Sequence, residues 1–562
     1  MDVAQILLHK GLVNEGQLAD ARRTPALTQG RPLHLVLVDM GVVDEATALE
    51  ALAESLGMEY VELANLQIDP NALSAVPAKV IYRQAVFPIA RSNGTLRVAT
   101  SDPFAVYALD ELEAMTGLHV EPVLASAREI DRLVKQHFGV GGETVEQLVA
   151  EREDLEILDV PDKVEGELAA EAQEPSVVRL VNEILLEAIE QRASDVHVES
   201  HEAGVKIRYR VDGMLGRQPM PPEIDRFKNA MISRLKIMAR MNIAEKRLPQ
   251  DGRIKLRLHG REIDVRVSVI PMLHGEGIVM RLLDKGGSQF DLRRLGMAED
   301  TYATFQKLIQ RPHGILLVTG PTGSGKTTTL YSALREIQDE TIKIVTVEDP
   351  VEYHLESINQ IQVHSRIGLT FAAGLRSILR HDPDVILVGE IRDLETAETA
   401  IQSSLTGHLV FSTLHTNDAA SAFVRLVDMG IEPYLVASTV EAIMAQRLVR
   451  EICHGCKQEY HPEPDDLPPD FPRPPGDFVL YRGAGCRACR NIGFRGRLGI
   501  FELLVANEKV RHMTVERASS TVILKQALDD GMITLRQDGW RKVLAGQTTV
   551  SEVLRVTKGD LS

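Results

Sequence analysis

Gly314-Ile315-Leu316-Leu317-Val318-Thr319-Gly320-Pro321-Thr322-Gly323-Ser324-Gly325-Lys326-Thr327-Thr328 decides how this sequence folds: a short apolar run feeds a glycine-rich turn and then a helix-forming segment. Gly320 to Thr327 fits G-x-x-x-x-G-K-[ST], in which small residues let successive backbone N–H groups close around phosphate oxygens at a helix N-terminus. Lys326 is then expected to reach the β- and γ-phosphates of ATP, and Thr327 to hold Mg²⁺. Gly320, Pro321, Thr322, Gly323, Ser324, Gly325, Lys326, Thr327 and Thr328 form the expected nucleotide cradle. The apolar run before it and the continuation Thr329-Leu330-Tyr331-Ser332-Ala333-Leu334 set the cradle between a strand and a helix, so an α/β fold is predicted.

Downstream, Ile342-Lys343-Ile344-Val345-Thr346-Val347 reads as a strand ending in Glu348-Asp349-Pro350-Val351-Glu352-Tyr353. Acids at the C-terminal end of a strand sit where α/β sheets bind ligands. Asp384-Val385-Ile386-Leu387-Val388-Gly389-Glu390 is a buried-strand pattern closing on one carboxylate, in the manner of a Walker B strand with Gly389 where the usual Asp stands. Glu390 either holds the Mg²⁺ shell or orients the attacking water, and Glu348 and Glu352 are rival bases. His408 and His415 bound the apolar segment Leu409-Val410-Phe411-Ser412-Thr413-Leu414. A structural role stands open for each beside a phosphate-sensing or water-orienting one.

At 562 residues the chain is long enough for several domains, each with its own core. Hydrophobic content of 44% and charged content of 25% are ordinary globular values. No apolar run approaches the roughly 18 residues that span a bilayer, and Met1-Asp2-Val3-Ala4-Gln5 lacks the flank of a signal peptide, so a cytosolic protein is expected. A formal net charge of −17 speaks against nucleic acid as a partner.

The first 55 residues contain a weak two-copy repeat: Ile6-Leu7-Leu8-His9-Lys10-Gly11-Leu12-Val13-Asn14-Glu15 is echoed by Val36-Leu37-Val38-Asp39-Met40-Gly41-Val42-Val43-Asp44-Glu45. The glycines suit helix C-termini, and Asn14 and Asp44 suit the N-caps of the next helices, so each copy predicts a helix–turn–helix. Residues 56–138 mix strand and helix patterns. From Val140 to Glu174 the composition turns to Glu, Asp, Ala and Gly, which predicts a flexible acidic linker, with an acidic docking segment as the alternative. Ser176 opens an amphipathic helix. Val205-Lys206-Ile207-Arg208-Tyr209-Arg210-Val211 then alternates, with Lys206, Arg208 and Arg210 on one strand face. Arg266 belongs to a second alternating strand, and Arg247 to Arg253 to a basic turn. Such guanidinium groups match phosphate oxygens bidentately, although a solvated sheet face is the plainer reading.

All four cysteines fall in Cys453-His454-Gly455-Cys456 and Cys486-Arg487-Ala488-Cys489. Two C-x-x-C pairs present four thiolates from two tight turns, enough for a closed tetrahedral Zn²⁺ site. A redox pair is the alternative, and His454 and His461 are possible substitute ligands.

Taken together, residues 176–557 resemble the secretion superfamily ATPases, and among them the type II secretion assembly ATPases. The resemblance is carried by Ser194-Asp195-Val196-His197, Ile207-Arg208-Tyr209-Arg210-Val211-Asp212-Gly213, Gln250-Asp251-Gly252-Arg253, the phosphate loop, Val347-Glu348-Asp349-Pro350-Val351-Glu352-Tyr353, Leu379-Arg380-His381-Asp382-Pro383-Asp384, Val388-Gly389-Glu390-Ile391-Arg392-Asp393 and Ser404-Leu405-Thr406-Gly407-His408. It implies a RecA-like motor domain over 288–562 with a zinc-binding insertion at 450–495. Ahead of the motor it implies a small α+β arginine-bearing domain at 176–287; the composition shift sets the linker at 140–175, and the repeat with the mixed patterns after it sets a helical and α/β N-terminal module at 1–139. The matching positions are Arg208 and Arg210 before Asp-Gly, then Arg376, Arg380, Arg392 and Arg425. The implied activity is ATP hydrolysis by a homo-hexamer at the cytoplasmic face of the inner membrane, attached through platform proteins. It would drive assembly of a pilin-like fibre for export across the outer membrane, with extension of a type IV pilus as the nearest alternative. A nucleotide or cyclic di-GMP sensor without turnover is the alternative from another class. The N-terminal repeat resembles a cyclic di-GMP-binding module, but its Arg-Leu-Gly opening is reduced to Arg31-Pro32-Leu33 in the second copy and absent from the first, which favours a docking role.

Overall fold

The computed structural model describes residues 3–557 except 23–32, 64–65, 67, 78–79, 82–83, 93, 103, 105, 139–154, 159–170, 221, 259 and 285–289. The chain forms two compact units, Met1–Gly286 and Gly287–Ser562.

The first unit begins with four short helices, Val3–His9, Glu15–Arg22, Leu33–Asp39 and Glu45–Leu56. They form the two predicted pairs because Asn14 Oδ1 accepts from the Gln17 N–H at 2.9 Å and Asp44 Oδ2 from the Thr47 N–H at 3.2 Å, capping the second helix of each pair. Leu18, Ala21, Leu49 and Leu52 are buried. Arg31 and Pro32 lie outside the described residues. A small sheet follows in the order β1-β2-β3, built from β1 (Val86–Ser92), β2 (Thr95–Thr100) and β3 (His119–Leu124). β2 and β3 are parallel, with the crossover helix Val106–Thr116 between them.

The acidic stretch is not linker throughout. Its apolar interruption Leu155-Glu156-Ile157-Leu158 forms β4, an edge strand hydrogen-bonded in register from Leu155↔Leu258 to Leu158↔Lys255; residues 139–154 and 159–170 lie outside the described residues. An edge strand needs a ladder on one side only, so four residues suffice. The helix Pro175–Glu190 follows, then β5 (Ala193–His201), β6 (Gly204–Val211), β7 (Met214–Arg217), the helix Lys228–Met238, β8 (Gln250–Leu258), β9 (Arg261–Met272) and β10 (Gly275–Asp284). With β4 these strands make an antiparallel seven-stranded sheet in the order β4-β8-β9-β10-β5-β6-β7. Ile184, Leu185, Ile232 and Leu235 of the two helices share a core with Val196, Ile207, Tyr209, Val265 and Met280. The Tyr209 hydroxyl donates to the Ile184 carbonyl at 2.8 Å. Alternation then sends Asp195, Lys206, Arg208 and Arg210 to the opposite face.

One sequence expectation changes here. Arg253 is not part of a turn: β8 already starts at Gln250, and Arg253 pairs directly with Arg266. β10 runs to Asp284, and Leu292–Leu295 is a 3₁₀ turn capped by Asp291.

The second unit is a RecA-like, P-loop α/β fold. Its strands are β11 (Gly314–Thr319), β12 (Ile344–Glu348), β13 (Asn359–Gln362), β14 (Val385–Val388), β15 (Leu409–Leu414), β16 (Val440–Ile452), the short hairpin strands β17 (Lys457–Tyr460) and β18 (Leu480–Gly483), and β19 (Phe494–Val505). The main sheet runs β13-β12-β14-β15-β11-β16-β19, parallel except for the final β16–β19 pair. Every residue of β11, β12, β14 and β15 is buried, as a parallel sheet covered by helices on both faces requires. Ile315, Leu317, Ile386 and Val410 pack on the side of helix Leu394–Leu405, whereas Leu316, Val318, Leu387 and Phe411 pack on the side of Lys326–Ile337.

Candidate functional site

The loop between β11 and the helix Lys326–Ile337 lies at the C-terminal edge of the parallel strands. Gly325 caps that helix at φ 90°, and a Cβ there would stand 2.8 Å from Gln446 Nε2. A Cβ on Gly320 would meet the Gln446 carbonyl oxygen and Ser324 Oγ, each at 2.6 Å. Glycine at these two positions therefore lets the loop close against β16. Ser324 Oγ is buried and has no hydrogen-bond partner among the described residues, a donor suited to a bound oxygen. Lys326 is also buried, and its Nζ donates to the carbonyls of Gly320 at 2.8 Å and Pro321 at 3.1 Å. Burial pulls this ammonium down to about 8; nearby Glu390 opposes the shift and Arg447 adds to it. Thr327 and Thr328 are exposed on the first helical turn. The loop thus fits a polyphosphate: backbone donors, one spare hydroxyl and a cation face the same edge.

Glu348, the last residue of β12, is buried. It accepts from Thr346 Oγ1 at 2.6 Å, from Gln360 Nε2 at 3.2 Å and from the Tyr331 hydroxyl. Burial pushes its pKa up, and these three donors hold the rise back. Glu352 lies four residues on in the following loop, and its charge adds to the rise. Glu390, two residues beyond β14, forms ion pairs with Arg392 Nη2 at 2.5 Å and His415 Nε2 at 3.1 Å. Since β12, β14 and β11 are parallel, Glu348, Glu390 and the phosphate loop share one edge of the sheet.

The two histidines separate. His415 follows β15 at the loop's edge, whereas His408 precedes it at the other end, about 23 Å away at 3.3 Å per residue. His408 Nδ1 lies 2.8 Å from the Ser403 carbonyl and 3.1 Å from Thr406 Oγ1. The strand with His408 and His415 at its two ends does lie beside β11, and the parallel pairing puts His415 alone at the phosphate-loop edge. Arg376 Nη1 donates to Glu395 at 2.7 Å, and Arg380 Nη1 to the Arg376 carbonyl at 2.9 Å, so both are engaged with their own and the neighbouring helix. Arg425 is on the helix Ala420–Asp428.

In the first unit, Arg208 Nη2 pairs with Glu199 at 2.5 Å, and Arg210 Nε lies 3.7 Å from Asp195. The strand registers extend this face: Arg210↔Asp195, Asp195↔Arg281, Arg281↔Arg266 and Arg266↔Arg253 make one row across five strands. Four guanidinium groups share the row with one carboxylate. The sequence suggested the alternation, but the alignment of distant strands into a row follows from pairing.

The sequence reading missed Gln446 and Arg447. Gln446 Oε1 accepts from Thr329 Oγ1 at 2.8 Å, behind the phosphate loop. Arg447 Nη2 donates to the Asn417 carbonyl at 2.8 Å, and its Nη1 would lie 2.9 Å from a Cβ on Gly320. Their only signal is two adjacent polar residues in an apolar strand. Glu502 was missed too: its carboxylate accepts from the Ala419 N–H at 2.8 Å and the Leu535 N–H at 3.3 Å, and burial raises its pKa to about 7.

The cysteines converge. Their Sγ atoms all lie within 4.8 Å of one another, with separations of 3.7 Å for Cys453–Cys486, 3.7 Å for Cys456–Cys489 and 3.8 Å for Cys486–Cys489. A tetrahedron of thiolates at the usual Zn–S length of about 2.3 Å has edges of about 3.8 Å, so the donor set fits zinc. Burial opposes ionisation of Cys489, yet the N–H groups of Cys486 and Gly493, each 3.2 Å from its Sγ, bring it down to about 7. His454 Nε2 pairs with Glu451 and His461 Nδ1 with Asp477, so both histidines have partners outside the thiol cluster.

Comparison with known proteins agrees with this geometry. Residues 170–555 match the type II/IV secretion system protein family, and residues 56–144 match the MshEN domain. The chain is 44% identical over 570 residues to the type II secretion system protein E of Xanthomonas campestris pv. campestris, covering 99% of this chain and 98% of that one. It is 41% identical over 563 residues to the type IV pilus assembly ATPase PilB of Myxococcus xanthus, covering 99% of each. Among solved structures, the Legionella pneumophila ATPase DotB shares the fold, with a TM-score of 0.50 and 23% identity over 67% of this chain and 95% of that one. No helix among the described residues is long and apolar enough to cross a membrane. Family match, near full-length relatives and a complete phosphate loop agree: the chain belongs to the type II/IV secretion system protein family.

Proposed function

We propose that this chain hydrolyses ATP to assemble a pilin-like fibre for type II secretion, as a cytoplasmic homo-hexamer held at the inner membrane by platform proteins. The observation that carries the reading is an intact phosphate loop sharing one sheet edge with Glu348 and Glu390, in a chain similar from end to end to a secretion system protein E.

The loop N–H groups and Lys326 bind and orient the phosphates. Thr327 and Glu390 would hold Mg²⁺, which would supply charge neutralisation at the phosphate oxygens. Glu348 takes the proton of the attacking water; burial moves its proton affinity toward the neutral range that general-base work requires. Glu352 stands beside it as the second carboxylate of the same segment. His415, paired with Glu390, is placed to register the γ-phosphate, whereas His408 is structural. Cys453, Cys456, Cys486 and Cys489 hold one structural Zn²⁺, which closes the lobe between β16 and β19. The N-terminal module, residues 1–139, docks on a platform protein and does not serve cyclic di-GMP.

Arg208 and Arg210 are assigned to the nucleotide of a neighbouring subunit, the arrangement by which rings supply an arginine across an interface. Mixing Lys326→Ala chains with Arg210→Ala chains, each inactive alone, should restore phosphate release, because some sites then combine an intact loop with an intact neighbour. No recovery in rings confirmed to be mixed puts the arginine in cis or in a structural role. The same experiment separates Arg376 and Arg380 from this role.

Assembly of a type IV pilus is the second reading, favoured by 41% identity over 99% of both chains to a pilus assembly ATPase. Deleting the gene in its host and measuring exported enzyme and surface pili in parallel separates the two. Retention of exoproteins with pili intact is expected; loss of pili with export intact reassigns the motor.

A further inference from the structure

Tyr331 is the fifth residue after Lys326 on the same helix, which places it about 7.5 Å further along the axis. Its side chain is fully buried. The hydroxyl donates to Glu348 Oε2, and the backbone N–H groups of Glu352 and Tyr353 face the phenol oxygen itself. Its ring is held edge-on by Phe290 at 5.3 Å and Tyr353 at 6.4 Å, with Phe290 and Tyr353 in contact at 5.4 Å. Gln360 completes the enclosure: its Nε2 donates to Glu348 at 3.2 Å and to the Tyr353 carbonyl at 3.0 Å, and its Oε1 accepts from the Leu355 N–H at 2.8 Å.

We infer that Tyr331 is a positioning residue for ATP hydrolysis, linking the helix that begins with Lys326 to the carboxylate of Glu348 and to the loop that carries Glu352. The inference rests on the reading of Glu348 as the group that deprotonates water. A buried carboxylate without donors takes up a proton and points nowhere in particular; a phenol that donates to one oxygen, opposite donors on the other, keeps it ionised and aimed. Because one rigid helix carries both Lys326 and Tyr331, the grip on the phosphates and the aim of the carboxylate are set together. The groups facing Glu348 are the Tyr331 phenol from this helix, Thr346 on its own strand, Gln360 on β13 and the charge of Glu352 from the next loop. Burial is what chiefly disfavours ionisation, and among these groups only Glu352 adds to it.

The sign of the pH effect follows. Glu348 must be ionised to act, so kcat rises with pH through its pKa. Removing one of its donors raises that pKa. In the full-length enzyme, Tyr331→Phe keeps the ring and its aromatic contacts and should move the acidic limb of the kcat profile up by about one to two pH units, with KM for ATP within about twofold of wild type. Substituting 3-fluorotyrosine at the same position, a stronger donor of nearly the same shape, should move the limb the opposite way. This second variant keeps the test open if Tyr331→Phe fails to fold. A limb that superimposes on wild type in either variant overturns the inference. Glu348→Gln is measured alongside: loss of turnover there together with an unmoved limb in the tyrosine variants removes only the role of Tyr331, whereas turnover retained in Glu348→Gln removes the base assignment and the inference with it.

Discussion

Lys326→Ala abolishes measurable phosphate release, a fall of at least about 10² to 10³ in kcat on the scale of losing one preorganised charge aimed at a transition state. Nζ sits between the carbonyls of Gly320 and Pro321, inside the turn that encloses the phosphates. Phosphoryl transfer offers the protein little covalent chemistry, so positioning and charge carry nearly all of the catalysis. The substitution should spare the fold. Lys326 is already desolvated, with burial pulling its pKa to about 8, so removing it relieves a buried charge at the cost of a donor to two loop carbonyls, of which that of Pro321 keeps the Ser324 N–H. The expected result is an unchanged thermal midpoint with phosphate release lost. Near wild-type release would remove the motor reading.

The second large effect concerns the cysteines. Replacing Cys453 and Cys486 by Ser should release one Zn²⁺ per chain and unfold the lobe between β16 and β19. The lobe has little else to hold it: the hairpin β17–β18 is four residues a side, and its small core centres on Phe471, Leu480 and Trp540. Structural zinc sites contribute about 10 to 16 kcal/mol of apparent binding free energy, which in so small a lobe is most of its stability. The Cys453 N–H donates to the Gly493 carbonyl and the Ile452 N–H to the Gln547 carbonyl, so the damage should reach the C-terminal helices. The phosphate loop has its own core and should still bind nucleotide. Metal analysis, thermal unfolding and binding of a fluorescent nucleotide read these three consequences separately. A wild-type chain purified without zinc would end the assignment.

Much of the functional edge was legible in order. The phosphate loop, the Glu348 segment, Glu390 and the thiol pairs each occupy a few consecutive residues, and each carries its chemistry in the spacing of its own backbone. Helix capping at Asn14 and Asp44 was legible for the same reason, since a cap reaches only three residues ahead. The exceptions are instructive. Residues 155–158 sit in an acidic run whose composition predicts no structure, and they form a strand because the edge of β8 offers them a ladder. The sequence puts His408 and His415 at the two ends of one strand, but only the parallel pairing of β15 with β11 gives His415 the phosphate-loop end.

By itself, then, the sequence determined an α/β fold around a nucleotide loop, the alternating strand that carries Arg208 and Arg210, and the paired cysteines. These follow from local periodicity and from motifs that close on themselves, whereas the motor came from the family resemblance. Only the tertiary structure decided which distant side chains complete them: Gln446 and Arg447 behind the loop, Tyr331 on Glu348, Glu502 beneath the segment after His415, and the row from Arg210 to Arg253. Those contacts depend on strand order and register, and a register shift of one residue would turn the strand-borne side chains among them to the other face.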